Sequence, residues 1–265
     1  MDLQLSGKRA IVTGGSRGIG RAIARTLAAE GAAVVIAARD EQALVAAAAE
    51  LSREIGGQVV AVPADTGDQS SVDHLVERAV AEIGGVDILV NAAATPWGAD
   101  QASDFEAITD DVVRAEVEIK VLGYLRTARA VSPHLIAQGW GRIINISGLG
   151  ARQATSIAHT IRNVSVSALT KNLADELGPR GINVTVVHPG LTRTEQLDTR
   201  LAAQSAEKST PVADLERDLA TNSIRRIVDA AEVADVVAFL ASPRSIAITG
   251  DAIAAGGGVP GPVYY

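Results

Sequence analysis

Short apolar runs alternate with longer amphipathic ones along most of the chain. Arg9–Val12, Ala33–Ala37, Gln58–Val62, Val86–Val90, Arg142–Ile146, Ile182–Val187 and Ala252–Ala255 are β-branched and apolar on both faces, the pattern of strands buried in a parallel sheet. Between them Gly20–Ala29, Glu41–Ile55, Ser70–Ile83 and Val112–Gln138 read as helices. Ser70 with Asp73 marks a start, and Gly31 and Gly84 mark stops. Strand–helix alternation implies right-handed crossovers with helices on both sheet faces. The predicted fold is therefore α/β, a doubly wound parallel sheet of about seven strands.

One stretch breaks the alternation. Residues 191–223 are polar, with scattered Leu197, Leu201 and Leu215, and are predicted to be irregular. Such an insertion lies at the carboxyl ends of the strands, where ligands sit in α/β sheets, so a substrate lid is expected there. A surface excursion without function is the alternative.

Composition narrows the class. The 265 residues suit a single domain spanning 1–265, and 47% hydrophobic residues with only 3% aromatics give a large aliphatic core. With 24 basic and 31 acidic residues the formal charge is −7 and no basic block occurs, which argues against nucleic acid or an anionic membrane as partner. The absence of cysteine excludes disulfides and thiolate chemistry, and the four histidines are too dispersed to suggest a metal site. The opening Met-Asp-Leu-Gln-Leu-Ser-Gly-Lys-Arg lacks the order of a signal peptide, and no apolar run reaches membrane-spanning length. A soluble, cytoplasmic protein is the expectation.

The chemistry begins at Thr13-Gly14-x-x-x-Gly18-x-Gly20, which follows the first strand and opens the first helix. Glycines let the backbone turn tightly and approach a diphosphate, while the helix start offers free amides and partial positive charge. The spacing resembles the short-chain dehydrogenase/reductase family, whose fold is of Rossmann type. Further pieces agree: Asp65-Thr66 after the third strand, Asn91-Ala92-Ala93-Ala94 after the fourth, Gly139 to Ser147 through the fifth, Pro189-Gly190-x-x-x-Thr194, and Ile248 to Ile253 before the last. The resemblance implies a nicotinamide dinucleotide held by Gly14, Ser16, Arg17, Gly18, Ile19, Gly20, Arg39, Asp65, Thr66, Asn91, Ala92, Ala93, Pro189, Gly190 and Thr194. It also implies a homo-oligomer, a dimer or tetramer, built through the helices at 112–138 and 153–178.

Cofactor choice turns on the adenosine ribose. Ala38 falls where an NAD-type carboxylate would stand and Arg39 follows it; Arg17 is a second candidate partner for a 2′-phosphate. NADP(H) is favoured over NAD(H), although a one-residue shift would bring Asp40 to the ribose.

The catalytic positions of the family depart from its pattern. The family uses a tyrosine with a lysine four residues on, a serine at the end of the fifth strand and an asparagine in the preceding helix. Here these positions fall on His159, Asn163, Gly148 (with Ser147 one residue earlier) and Lys120, and no Tyr-x-x-x-Lys occurs anywhere. Imidazole titrates near pH ~6.5, so His159 needs no lysine to be reactive. The expected site is a rebuilt one: His159 as acid/base, Lys120 as electrostatic partner, Ser147 or Asn163 holding the oxygen of a small, largely apolar carbonyl or alcohol substrate. The alternative is a catalytically silent dinucleotide-binding scaffold or redox sensor, with His159 part of a polar stripe (Ser156, Asn163, Ser167) that bonds a neighbouring subunit. Trp97 is a candidate pocket residue and Trp140 a structural one; His188 is expected to orient backbone, and His74 and His134 to lie on helix surfaces.

Overall fold

Runs buried along their whole length must satisfy their backbone against one another, and here they do so as parallel strands. The structure is a computed structural model that describes residues 1–95 and 105–261. Its strands are β1 (Arg9–Thr13), β2 (Ala33–Ala38), β3 (Val59–Pro63), β4 (Ile88–Asn91), β5 (Gly141–Ile146), β6 (Ile182–Pro189), β7 (Thr192–Arg193), β8 (Val228–Asp229) and β9 (Ala252–Ala255). Seven of them form one sheet in the order β3-β2-β1-β4-β5-β6-β9, while β7 and β8 make a small separate ladder. The order reverses between β1 and β4, which opens a crevice at the carboxyl ends of those strands.

The helices are α1 (Gly18–Ala29), α2 (Glu41–Ile55), α3 (Gln69–Ile83), α4 (Asp110–Val117), α5 (Gly123–Gln138), α6 (Ile157–Leu177), α7 (Glu195–Lys208), α8 (Val212–Leu219) and α9 (Ala230–Ala241). Alternate strand residues feed two cores. Val12, Ile36, Val90 and Ile144 pack with Ile23, Leu27, Leu44 and Val237. Ile11, Val35, Leu89 and Ile143 pack on the other face with Leu75, Val131, Leu135 and Leu177. Each such side chain stabilises the fold by roughly 1.5–3 kcal/mol.

Three expectations change. The helix predicted over Val112–Gln138 is interrupted by a widened π turn at Glu118–Leu122. The start of α3 is capped by Asp68, whose carboxylate accepts from Ser70 N at 2.9 Å, rather than by Ser70 with Asp73. The excursion at 191–223 is helical, not irregular: Thr194 caps α7, and Leu197, Leu201 and Ile227 bury together with Leu191 and Leu215 against them. Two short helices with mostly polar surfaces leave little periodic signal, which is why the leucines looked scattered.

At the amino ends of β1 and β4, Asp87 accepts hydrogen bonds from Arg9 N (2.9 Å), Nε (2.7 Å) and Nη2 (2.9 Å), while Arg9 also donates to Gly84 O and Gln138 Oε1. Burial pushes the Asp87 carboxyl up, but the bonds and charge of Arg9 outweigh it and leave it below its ordinary value. The ionised group therefore stabilises the fold above the unfolded value near pH ~3.9, and that contribution is lost as pH falls through the lower folded value. Asp87→Asn is expected to cost about 1–3 kcal/mol in urea unfolding at pH 7, with the difference from the parent shrinking below pH ~4. A difference independent of pH would exclude the carboxylate's charge as its source.

Candidate active site

The crevice at the strand-order reversal is a cleft of about 1030 Å³, lined by the β1–α1 turn, the ends of β2 and β4, the loop after β3, and Thr194 to Gln196. Its floor is built by close backbone approach. A Cβ at Gly14 (φ 68°) would sit 2.7 Å from Ala92 O, and one at Gly20 would collide with Gly14 O. Side chains are excluded there, so the cradle fits a diphosphate at the first turn of α1. Gly14, Ser16, Arg17, Gly18, Ile19, Gly20, Arg39, Asp65, Thr66, Ala92, Ala93 and Thr194 all line this cleft.

Arg17 and Arg39 are both exposed in it, and neither makes an ion pair among the described residues. Asp40 is already engaged: its carboxylate caps α2 by accepting from Ala43 N at 3.0 Å. Asn91 stands apart from the other expected cofactor residues. It is fully buried behind the cleft, where its Nδ2 donates to Asn145 Oδ1 (3.0 Å) and its Oδ1 accepts from Thr127 Oγ1 (2.7 Å). Asn145 Nδ2 in turn donates to Thr170 Oγ1 (2.9 Å), so this chain of side chains ties α5, β4, β5 and α6 together.

A second cavity of about 1050 Å³ adjoins the cleft, and Ile19, Ser147, Thr194 and Gln196 line both. Pro189, Gly190, His159 and Asn163 face this cavity, with Leu149, Leu191, Leu197, Leu219 and Ile227 as apolar wall. The wall is not apolar throughout, since Arg162, Arg200 and Arg226 also line it. Trp97 lies outside the described residues.

The structure brings the four expected catalytic positions together at this junction. Lys120 Nζ donates to Ser147 O at 2.9 Å, and Ser147 Oγ donates to Asn163 O (3.1 Å) or Oδ1 (3.2 Å). Gly148 belongs to the same packing, because a Cβ there would press on Asn163 Nδ2 at 3.2 Å. The widened turn before α5 carries Lys120 into the interior, where it is 4% exposed. Burial, reinforced by the charge of Arg162, pushes its ammonium down to about 7, so at neutral pH the amine is only partly charged. Burial and then Arg162 likewise lower His159, and Glu116 partly offsets them. The imidazole is therefore neutral at pH 7, with its Nε2 buried and without a hydrogen-bond partner among the described residues.

The stripe on α6 points inward at His159 and Asn163, while Ser156 caps the helix and Ser167 bonds Asn163 O. Sequence reasoning missed the ion pair of Glu116 and Arg162 beside this cluster; both residues are buried, and they come from α4 and α6. Their charges carry no local spacing signal, being far apart along the chain.

Comparison with known proteins agrees with this fold. The family model for enoyl-(acyl carrier protein) reductase matches residues 14–260. An uncharacterized oxidoreductase of Methylorubrum extorquens is 38% identical over 97% of this chain and 99% of its own. The chain belongs to the short-chain dehydrogenase/reductase family. Among solved members, L-sorbose reductase from Gluconobacter frateurii, complexed with NADPH and L-sorbose, superposes with a TM-score of 0.92 at 30% identity, covering 99% of this chain and 100% of that one. A short-chain dehydrogenase from Burkholderia cenocepacia in complex with NADP gives 0.80 at 32% identity, covering 96% and 98%. The relatives make this chain an oxidoreductase of that family.

In this short-chain dehydrogenase/reductase two of the other three histidines are placed as expected, while the Nδ1 of His188, expected to orient backbone, is buried without a hydrogen-bond partner among the described residues. His74 and His134 are exposed, whereas His188 is buried and burial pushes it down to about 4. Trp140 is structural, with Lys8 Nζ 3.8 Å and Arg142 Cζ 4.6 Å from its ring centre. One contact bears on cofactor entry: Gly18 N, in the glycine turn, donates to Glu195 Oε2 at 3.1 Å. A carboxylate thus holds an amide that a diphosphate would use, and its charge opposes an incoming anion. Glu195→Gln is expected to tighten NADPH roughly 2- to 5-fold, the range of a solvent-exposed charge interaction. Equal or weaker binding, read by NADPH fluorescence titration, would show that Glu195 does not compete.

Proposed function

We propose that the chain is an NADP(H)-dependent oxidoreductase acting on the carbonyl or hydroxyl group of a small, partly apolar molecule through a rebuilt proton-transfer site. One observation carries this reading: His159, Ser147, Asn163 and Lys120 converge where the dinucleotide cleft meets the second cavity. The glycine turn, with Arg17, Arg39 and Thr194, would hold a dinucleotide that could supply or take a hydride there. His159 exchanges the proton of the substrate oxygen, Ser147 and Asn163 orient that oxygen, and Lys120 fixes the end of β5 through Ser147 O. A neutral imidazole at pH 7 suits acceptance of a hydroxyl proton.

The preference for NADP(H) rests on Arg17 and Arg39 in the cleft and on Asp40 being spent as a cap. The NADP-bound relatives point the same way. The helical excursion around α7 and α8 walls the second cavity, as a substrate lid would. Ile157, Ile161 and Val164 form an exposed apolar stripe on α6, which supports association into a dimer or tetramer. Among the described residues no helix is long and apolar enough to cross a membrane; a cytoplasmic location remains part of this reading.

The silent-scaffold reading draws support from the mutual hydrogen bonds of Lys120, Ser147 and Asn163, which also suit a purely structural cluster. Turnover separates the two. With NADPH binding established by fluorescence, a panel of aldehydes, ketones and alcohols should yield a substrate, and His159→Phe should lower kcat on it by about 10²-fold or more without weakening NADPH. Unchanged turnover in that variant would remove His159 from the chemistry, and binding without turnover across the panel favours the scaffold. Arg39→Ala should weaken NADPH by roughly 10- to 100-fold while leaving NADH affinity nearly unchanged. Equal losses for both would overturn the 2′-phosphate assignment.

A further inference from the structure

The Glu116–Arg162 ion pair has no part in the proton transfer just described, yet it lies against every titratable member of the site. Glu116 precedes Lys120 by four residues, and both are 4% exposed on the face of α4 and the widened turn that meets α6. Arg162 follows His159 by three residues and directly precedes Asn163, and it is 8% exposed. The pair closes across the two helices, so each partner stands about one helical turn from a group the site uses.

Stability does not account for it. Two desolvated charges rarely gain more than a well-packed apolar pair of the same volume would. Arg162 Nη1 donates to Glu116 Oε2, yet Arg162 Nε, like His159 Nε2, is buried without a partner among the described residues. What the pair does provide is a guanidinium fixed by a carboxylate, next to the imidazole. The position that carries the family's lysine is here the uncharged Asn163, next to Arg162 in the chain.

We propose that Arg162, held by Glu116, is the positioning residue that replaces the missing lysine and sets the protonation state of His159. The charged groups acting on His159 are Arg162 on its own helix and Glu116 and Lys120 on the segment across, with Arg200 and Arg226 lining the same cavity from the excursion; Ser147 and Asn163 are uncharged. A cation beside imidazole disfavours imidazolium, and Glu116 tempers that effect. Burial of the imidazole is the largest cause holding His159 below its ordinary value; the charge of Arg162 adds to it, Glu116 partly offsets it, and whatever charge Lys120 keeps acts in the same sense as Arg162. Arg162 needs a carboxylate partner because an unpaired buried guanidinium would not stay in place.

The inference rests on the reading of His159 as the proton-transfer group, but its test needs no substrate. The chain has four histidines, so side-chain NMR of uniformly ¹⁵N-labelled protein resolves each titration, and His159→Gln assigns the signal. The parent His159 should titrate below the ordinary ~6.5. Glu116→Gln with Arg162→Met, which removes both charges together, should raise the midpoint by roughly 1 pH unit. Arg162→Lys should hold it near the parent value. Glu116→Gln alone should lower it, and serves as the deciding variant if the double one does not fold. A midpoint unmoved by ~0.2 unit in a folded double variant, or raised by Glu116→Gln alone, overturns the proposal. If the shifts appear while His159→Phe turns over normally, the proton-transfer reading fails and the charge coupling stands.

Discussion

At the carboxyl edge of the sheet the turn after β1 lies directly on the chain leaving β4, and α1 begins directly on that turn. A methyl group at Gly14 would press on Ala92 O, and one at Gly20 on Gly14 O. This closeness fixes where α1 starts and turns its first amides toward the cleft, where Gly18 N meets the Glu195 carboxylate. It also leaves the crevice between β1 and β4 deep enough to take a ligand's backbone-bound anion. The same requirement for contact recurs across the edge, where a Cβ at Gly190 would stand 3.0 Å from Gly256 Cα and 3.1 Å from Leu149 Cδ1. The cleft and the second cavity are both shaped by how near main chains can come.

Behind that edge the polar groups are arranged in two tiers with different duties. Thr127, Asn91, Asn145 and Thr170 are linked in one chain of hydrogen bonds and carry no charge, so they specify how α5 and α6 seat on the sheet without creating anything that titrates near neutrality. In front of them Lys120, His159, Arg162 and Glu116 are buried ionisable groups, and the charges of Arg162 and Glu116 act on Lys120 and His159. The neutral tier gives the charged one a rigid backing. A site whose family residues have changed can therefore keep its geometry, because the groups that hold the helices are not those that have been exchanged.

Much of this was legible in the chain itself. The strands could be read because burial on both faces demands unbroken β-branched runs, and β9 fell on Ala252–Ala255 as expected. The glycine turn was legible because its spacing answers a steric demand, and the convergence of His159, Asn163, Ser147 and Lys120 followed from their positions in a common framework. What escaped depends on contacts between distant residues. Glu116 and Arg162 each look like ordinary helix-surface charges until α4 and α6 meet. Asn91 carries a motif position yet spends its amide on Asn145, a choice decided by the register of β4 against β5. Gly148 reads as the loss of a serine, whereas in space it makes room for Asn163.

The ladder of β7 and β8 ties together the two ends of the excursion that carries α7 and α8, pairing Thr192 with Val228 and Arg193 with Asp229. With its neck pinched in this way and Leu197, Leu201 and Ile227 clustered inside it, the excursion has a small core of its own, and it is tied to the rest of the chain by Glu195 at Gly18 N and by Asn222, Ser223 and Ile224 at Gly256 to Gly258. Insertions, deletions or exchanges of sequence between the two anchor points would leave the seven main strands in register. A frame of this kind can change its preference for small molecules by rewriting the excursion beyond its first turn, while Thr194 and Glu195, which face the glycine cleft, are bound to the part that stays fixed.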